Sequence, residues 1–245
     1  MNPIWSTAIA AAILTSSVAA GPFDAPLRTV RSPLQRDPDN PQARPKLTCA
    51  YFPGFMVKQV DLGEEGAAQL SILPTPAAAC RRANAPGEMV ISPTDWTGYF
   101  DGVRGGYVLF TAEDGWNGGM GFAVFDAGTG HKVFEDAVKT QFRSLEASPG
   151  GLILHYRRTY AAKCSLNTDP SGCWRAIQRD TGLTGASPPD CAAAYAKEAR
   201  RTPKQAPQVR TDPTVVDYEV VATIQNSHGA IRTAPGAAPT CRPAD

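Results

Sequence analysis

The stretch from Thr111 to Gly121 sets an indole among small polar residues. Asp114 and Asn117 offer hydrogen-bond acceptors on either side of Trp116, and repeated glycines let a backbone approach a ligand closely. That combination suits a sugar ring or a peptide side chain, so Asp114, Trp116 and Asn117 are the candidate ligand-binding residues. The competing expectation is that Trp116 folds back as a lid on the core. Asp114-Gly115 and Asn117-Gly118-Gly119 also suggest a carbonyl-lined calcium loop, but the acids do not alternate as an EF-hand requires. Gly115 to Gly121 reads as a loop longer than a minimal hairpin connection.

Catalytic signatures are sparse. The chain has no Gly-x-Ser-x-Gly elbow, no His-Glu-x-x-His helix and no phosphate-binding glycine loop. Asp101, Glu113 and Asp114 supply carboxyls that could serve glycoside hydrolysis if two of them converged in one cleft. Neighbours such as Glu113-Asp114 and Glu135-Asp136 point to opposite faces of a strand, so neither is such a pair by itself. His155 sits in an apolar run and reads as structural, His131 lies at a hairpin tip, and His228 lies in a polar loop. Lys197, Arg200, Arg201, Lys204 and Arg210 form a basic cluster that reads as a solvated face. No catalytic residue, metal ligand or cofactor is assigned.

The cysteines fit a structural role. Cys49, Cys80, Cys164, Cys173, Cys191 and Cys241 are six, an even count that predicts a disulfide framework in an exported chain. Cys164 and Cys173 are close enough for a local bridge, and Cys241 is expected to hold down the C-terminal end. Zinc is disfavoured, because there is no Cys-x-x-Cys pair and the histidines are scattered. Residues 1–20 read as a signal peptide, with a short apolar run from Ile9 to Leu14 and small residues before Gly21. Export to the periplasm or beyond the cell follows as an expectation, and no run is long enough to span a membrane.

These residues need a scaffold, and the apolar pattern predicts a mainly β one. Short strands are expected at Met56 to Leu62, Gln69 to Leu73, Tyr107 to Phe110, Phe122 to Phe125, His131 to Phe134 and Leu152 to Tyr156. They read as an antiparallel meander, propeller-like or sandwich, in one disulfide-stabilised domain over 47–245. Two short helices are expected in the C-terminal third. One spans Cys191 to Arg200 after Asp190, and the other spans Cys173 to Arg179 and ends near Gly182. Val216 to Ile224 alternates as a half-exposed closing strand, and the tail after Gly229 reads as loop. The Pro-rich stretch 21–46 shows no periodicity and is expected to be a flexible arm.

The segment Phe122 to Asp136, "FAVFDAGTGHKVFED", resembles the outer hairpin of a blade in quinoprotein-type β-propellers. There a strand ends in Asp, turns through Thr-Gly and returns through Lys. The resemblance implies a tight hairpin and a propeller-like topology. It implies no quinone chemistry.

Charge narrows the partners. Lys plus Arg is 24 against 23 Asp plus Glu, which argues against a nucleic-acid binder. The expected function is an exported, non-enzymatic binding or interaction protein, with a carbohydrate or an envelope protein as partner. The alternative is a polysaccharide hydrolase that uses acids in the Asp101 to Asp114 region.

Overall fold

The computed structural model describes residues 22–185, 187–226, 228–236 and 238–244. The expected signal peptide lies outside the described residues. The chain forms two antiparallel sheets. The first is a meander of β1 (Arg28–Pro33), β2 (Lys46–Phe52), β3 (Phe55–Asp61), β4 (Gln69–Leu73) and β5 (Met89–Val90). The second begins with β6 (Tyr99–Arg104), β7 (Tyr107–Trp116), β8 (Gly119–Asp126) and β9 (Lys132–Val138). It continues through β10 (Ser144–Ser148), β11 (Gly151–Ala161), β12 (Thr214–Gln225), β13 (His228–Thr233) and β14 (Thr240–Pro243). Its main path runs β13-β12-β11-β9-β8-β7-β6, with β10 on β11 and β14 on β12. Helices α1 (Pro170–Thr181), α2 (Ala192–Arg201) and α3 (Ala206–Val209) connect β11 to β12.

Strand alternation sorts the apolar residues into layers. Phe52, Phe55 and Ile72 from the first sheet meet Val108, Phe110 and Phe125 from the second. The rings of Phe52, Phe100, Phe110 and Phe125 touch in series across this interface. The opposite face of the second sheet, with Leu152, Tyr156, Val216 and Tyr218, packs on Trp174 and Ile177 of α1 and Tyr195 of α2. Leu47, Tyr51 and Met56 form a third layer on the outer face of the first sheet. Fully burying one such side chain contributes about 1.5–3 kcal/mol. The architecture is a layered sandwich. Its sheets are not four-stranded blades, so the propeller topology does not follow from the hairpin. The turn itself is present: Asp126 Oδ1 accepts from Gly128 N, Thr129 N and the Thr129 hydroxyl.

Local signals set the helix ends. Asp169 Oδ1 accepts from Gly172 N at 2.9 Å, Pro170 opens α1, and Gly182 closes it in the left-handed region at φ 71°. Asp190 Oδ1 accepts from Ala192 N at 3.0 Å at the start of α2. The disulfides are Cys49–Cys80, Cys164–Cys173 and Cys191–Cys241.

Three sequence-based expectations are corrected. The stretch 21–46 is no free arm over its described residues: β1 pairs with β2 along its length, and Asp24 reaches β6. Its carboxylate accepts from Arg104 at 3.0 Å and from Gly105 N at 2.7 Å, while the Phe23 ring lies flush on Gly102. Backbone pairing of this kind needs no apolar period, which is why composition concealed it. The strand at Val216 is buried on both faces rather than half-exposed, because Asp217 is covered by ion pairs. The tail after Gly229 is not loop throughout, since β13 and β14 both pair with β12.

Candidate functional site

The Trp116 segment is a tight hairpin. Asn117 and Gly118 both have positive φ, 50° and 58°, the backbone of a type I′ turn. Trp116 pairs with Gly119 and Gly115 with Met120, so the expected long loop from Gly115 to Gly121 is instead a short Asn-Gly connection. The irregularity lies upstream, where the register shifts between Thr111 and Gly115.

Trp116 is 75% exposed, which removes the core-lid reading. Its cross-strand partner explains the bare ring. A Cβ on Gly119 would stand 2.7 Å from Thr159 Cβ, so β11 demands glycine there, and glycine leaves the indole uncovered.

The turn is held from the side by the C-terminal strand. Asp217, only 5% exposed, accepts from the Thr159 hydroxyl at 2.9 Å and lies 3.1 Å from Lys139 Nζ and 3.7 Å from Arg242 Nε. Arg242 Nη2 donates to the Asn117 carbonyl. Arg242 and Lys139 crowd Gly118, where a Cβ would meet them at 3.0 and 3.2 Å. Arg242 directly follows Cys241, so the Cys191–Cys241 disulfide anchors the strand that grips the turn.

Beside the hairpin opens a cleft of about 560 Å³. Asp114, Trp116 and Asn117 all line it, so the structure brings the three candidate residues together. Trp96, Glu135, Asp136, Arg158 and Tyr160 complete the wall. The cleft sits where the sheet parts between β9 and β11, which register only at Arg158 opposite Val138.

A polar network fills the parting. Asp136 accepts from Arg158 Nε at 2.8 Å and, through a very short bond, from the buried Tyr156 hydroxyl. Arg158 Nη1 donates to the Tyr218 hydroxyl at 2.9 Å, and Tyr160 donates to Asp180 at 2.7 Å. Burial and the neighbouring Asp136 push the Tyr156 phenol well above its ordinary range. Burial and the bond to Asp180 push Tyr160 up to about 12. Burial works to lower Arg158, but Asp136 and Tyr218 more than offset it and raise the group. All three stay protonated at neutral pH and act as hydrogen-bond donors, not bases.

The acids of the hydrolase alternative do not converge. Asp101 lines a separate cleft of about 700 Å³ with Phe23, Arg104 and Phe142. Desolvation raises its carboxyl above the ordinary aspartate range, although the residue as a whole keeps solvent contact. Glu113 lies against Gly66. His155 is half-exposed, with Nε2 3.7 Å from Glu146. Among the described residues no group of three His, Cys, Asp or Glu is placed to hold a metal ion.

Sequence reasoning missed Trp96, Arg158, Asp217 and Arg242. Each joins the site through strand register and long-range pairing, for which the local sequence carries no signal. No protein-family model, curated protein or solved structure matches this chain.

Proposed function

We propose that this chain is an exported, non-enzymatic binding protein whose ligand docks on the Trp116 hairpin and the cleft beside it. The observation that carries the reading is the indole itself, 75% exposed on a rigid type I′ turn at a cleft mouth. A large aromatic ring left in water at a cleft mouth does nothing for the core, which supports a contact role. Three disulfides support an oxidising compartment, and no helix among the described residues is long and apolar enough to cross a membrane.

Trp116→Ala tests the reading against a panel of soluble oligosaccharides and cell-wall fragments, scored by thermal shift. A ligand at about 100 times its Kd adds about 2.7 kcal/mol to stability. The variant should melt within about 1 kcal/mol of the parent, because little buried surface is lost, and should no longer respond to the ligand. A loss of about 3–5 kcal/mol, the cost of truncating a buried Trp, would place the ring in the core and end the proposal.

A further inference from the structure

We infer that the cleft takes an uncharged sugar unit of a glycan, its ring face on the Trp116 indole and its hydroxyls donating to the carboxylates below. This rests on the binding reading above and narrows it to one ligand class.

The first argument is the hydrogen-bond inventory of the wall. Several of its donors are already engaged: Arg158 on Asp136 and Tyr218, Tyr160 on Asp180, Thr159 on Asp217, and the Trp96 indole N–H on the Thr111 carbonyl. What the cleft still presents is carboxylate oxygen on Asp114 and the second oxygen of Glu135, since both Asp136 oxygens are taken by Arg158 and Tyr156. Ionised carboxylates only accept, so the ligand must bring donors, as a polyol or an ammonium group does. An anionic ligand would face the Asp114 carboxylate, while the nearby Arg158 guanidinium is already paired with Asp136.

The second argument separates polyol from ammonium. Glu135 is matched by Lys132 at 2.6 Å and Asp136 by Arg158 at 2.8 Å, which leaves little net charge to select a cation. An organic cation is held best by several ring faces converging within about 6 Å. Here the Tyr160 ring already faces the Arg158 guanidinium, 5.8 Å from the ring centroid. One open indole beside carboxylate acceptors is the complement of a pyranose, which has an apolar C–H face and a rim of hydroxyls.

Isothermal titration of the oxidised protein decides the matter with four probes: cellohexaose, N-acetylated chitohexaose, trigalacturonic acid and choline chloride. At least one neutral oligomer should bind, Trp116→Ala should weaken it at least tenfold, and Trp116→Phe should restore part of the loss. Asp114→Ala should weaken it further in the Phe background. Trp116-dependent binding of the uronate or of choline in preference to the neutral oligomers would overturn the sugar assignment and leave the binding site standing. Absence of any Trp116-dependent response to all four would overturn both.

Discussion

Lys58 shows most clearly what a single residue does in this fold. It is a lysine with its side chain 1% exposed, paired at 2.5 Å with Glu88, whose side chain is also 1% exposed. Its ammonium also donates to the Ala83 carbonyl at 3.3 Å, so the pair ties the loop after β4 to the sheet. Burial works to raise the Glu88 carboxyl, but bonds from Lys58 and from Ala85 N–H prevail and hold it below its ordinary value. A depressed acid stabilises the fold above its unfolded pKa of 4.5 and loses that contribution as pH falls through the folded value. Stability measured by urea titration should therefore decline as pH drops below about 4.5, beyond the decline of a Glu88→Gln variant. At neutral pH, Lys58→Met should cost about 3–5 kcal/mol, because it strands a buried carboxylate. Lys58→Met with Glu88→Leu should recover most of it, and a double variant no better than the single would refute the clamp. In the sequence Lys58 stands between Met56 and Val60 on one face of the strand. The residue that makes a charge tolerable there, Glu88, lies in the loop between β4 and β5, and periodicity cannot point to it.

At the scale of elements, turn chemistry and interstrand crowding decide the outcome. Strands β3 and β4 and both longer helices were legible, because periodicity, Asp and Gly caps and prolines are local signals. The Trp116 hairpin was not, although Asn-Gly flanked by paired residues is the strongest short hairpin signal. Glycines at 115, 118, 119 and 121 made the stretch look like a loop, while their separate reasons lie elsewhere in the fold. Gly119 faces Thr159, Gly121 faces Ala112, and Gly118 needs positive φ. Gly119→Ala should destabilise by about 1–3 kcal/mol, the usual cost of overpacking. Adding Thr159→Gly, which removes the Cβ it would meet, should return part of it in a double-mutant cycle, and strict additivity would remove the crowding explanation. Asp169→Ala should cost about 1 kcal/mol through loss of the α1 cap. Circular dichroism should show no change in β content.

For the whole molecule, sequence gave the class and the local disulfide but not how the layers meet. Two sheets sharing the Phe52, Phe110 and Phe125 layer are fixed by register across distant segments. β1 pairs with β2, while the Asp24 N–H donates to the Val103 carbonyl of β6, by backbone bonds that composition does not encode. The same distance governs the site. Arg242→Ala should leave the melting transition within about 1 kcal/mol, since its side chain is partly exposed. It should nevertheless speed amide exchange at Asn117 and Gly118, measured by hydrogen exchange; unchanged rates there would show that the turn stands unaided. Replacing Cys191 and Cys241 with serine should lower stability by about 2–4 kcal/mol and quicken the same amides. Ribosomes make the hairpin long before Arg242. A nascent chain can therefore form β7 and β8 early, while the Arg242 bond to the Asn117 carbonyl waits until β14 arrives. The grip on the turn is thus among the last contacts to be synthesised, and the Cys191–Cys241 bond can lock it only after β14 is made.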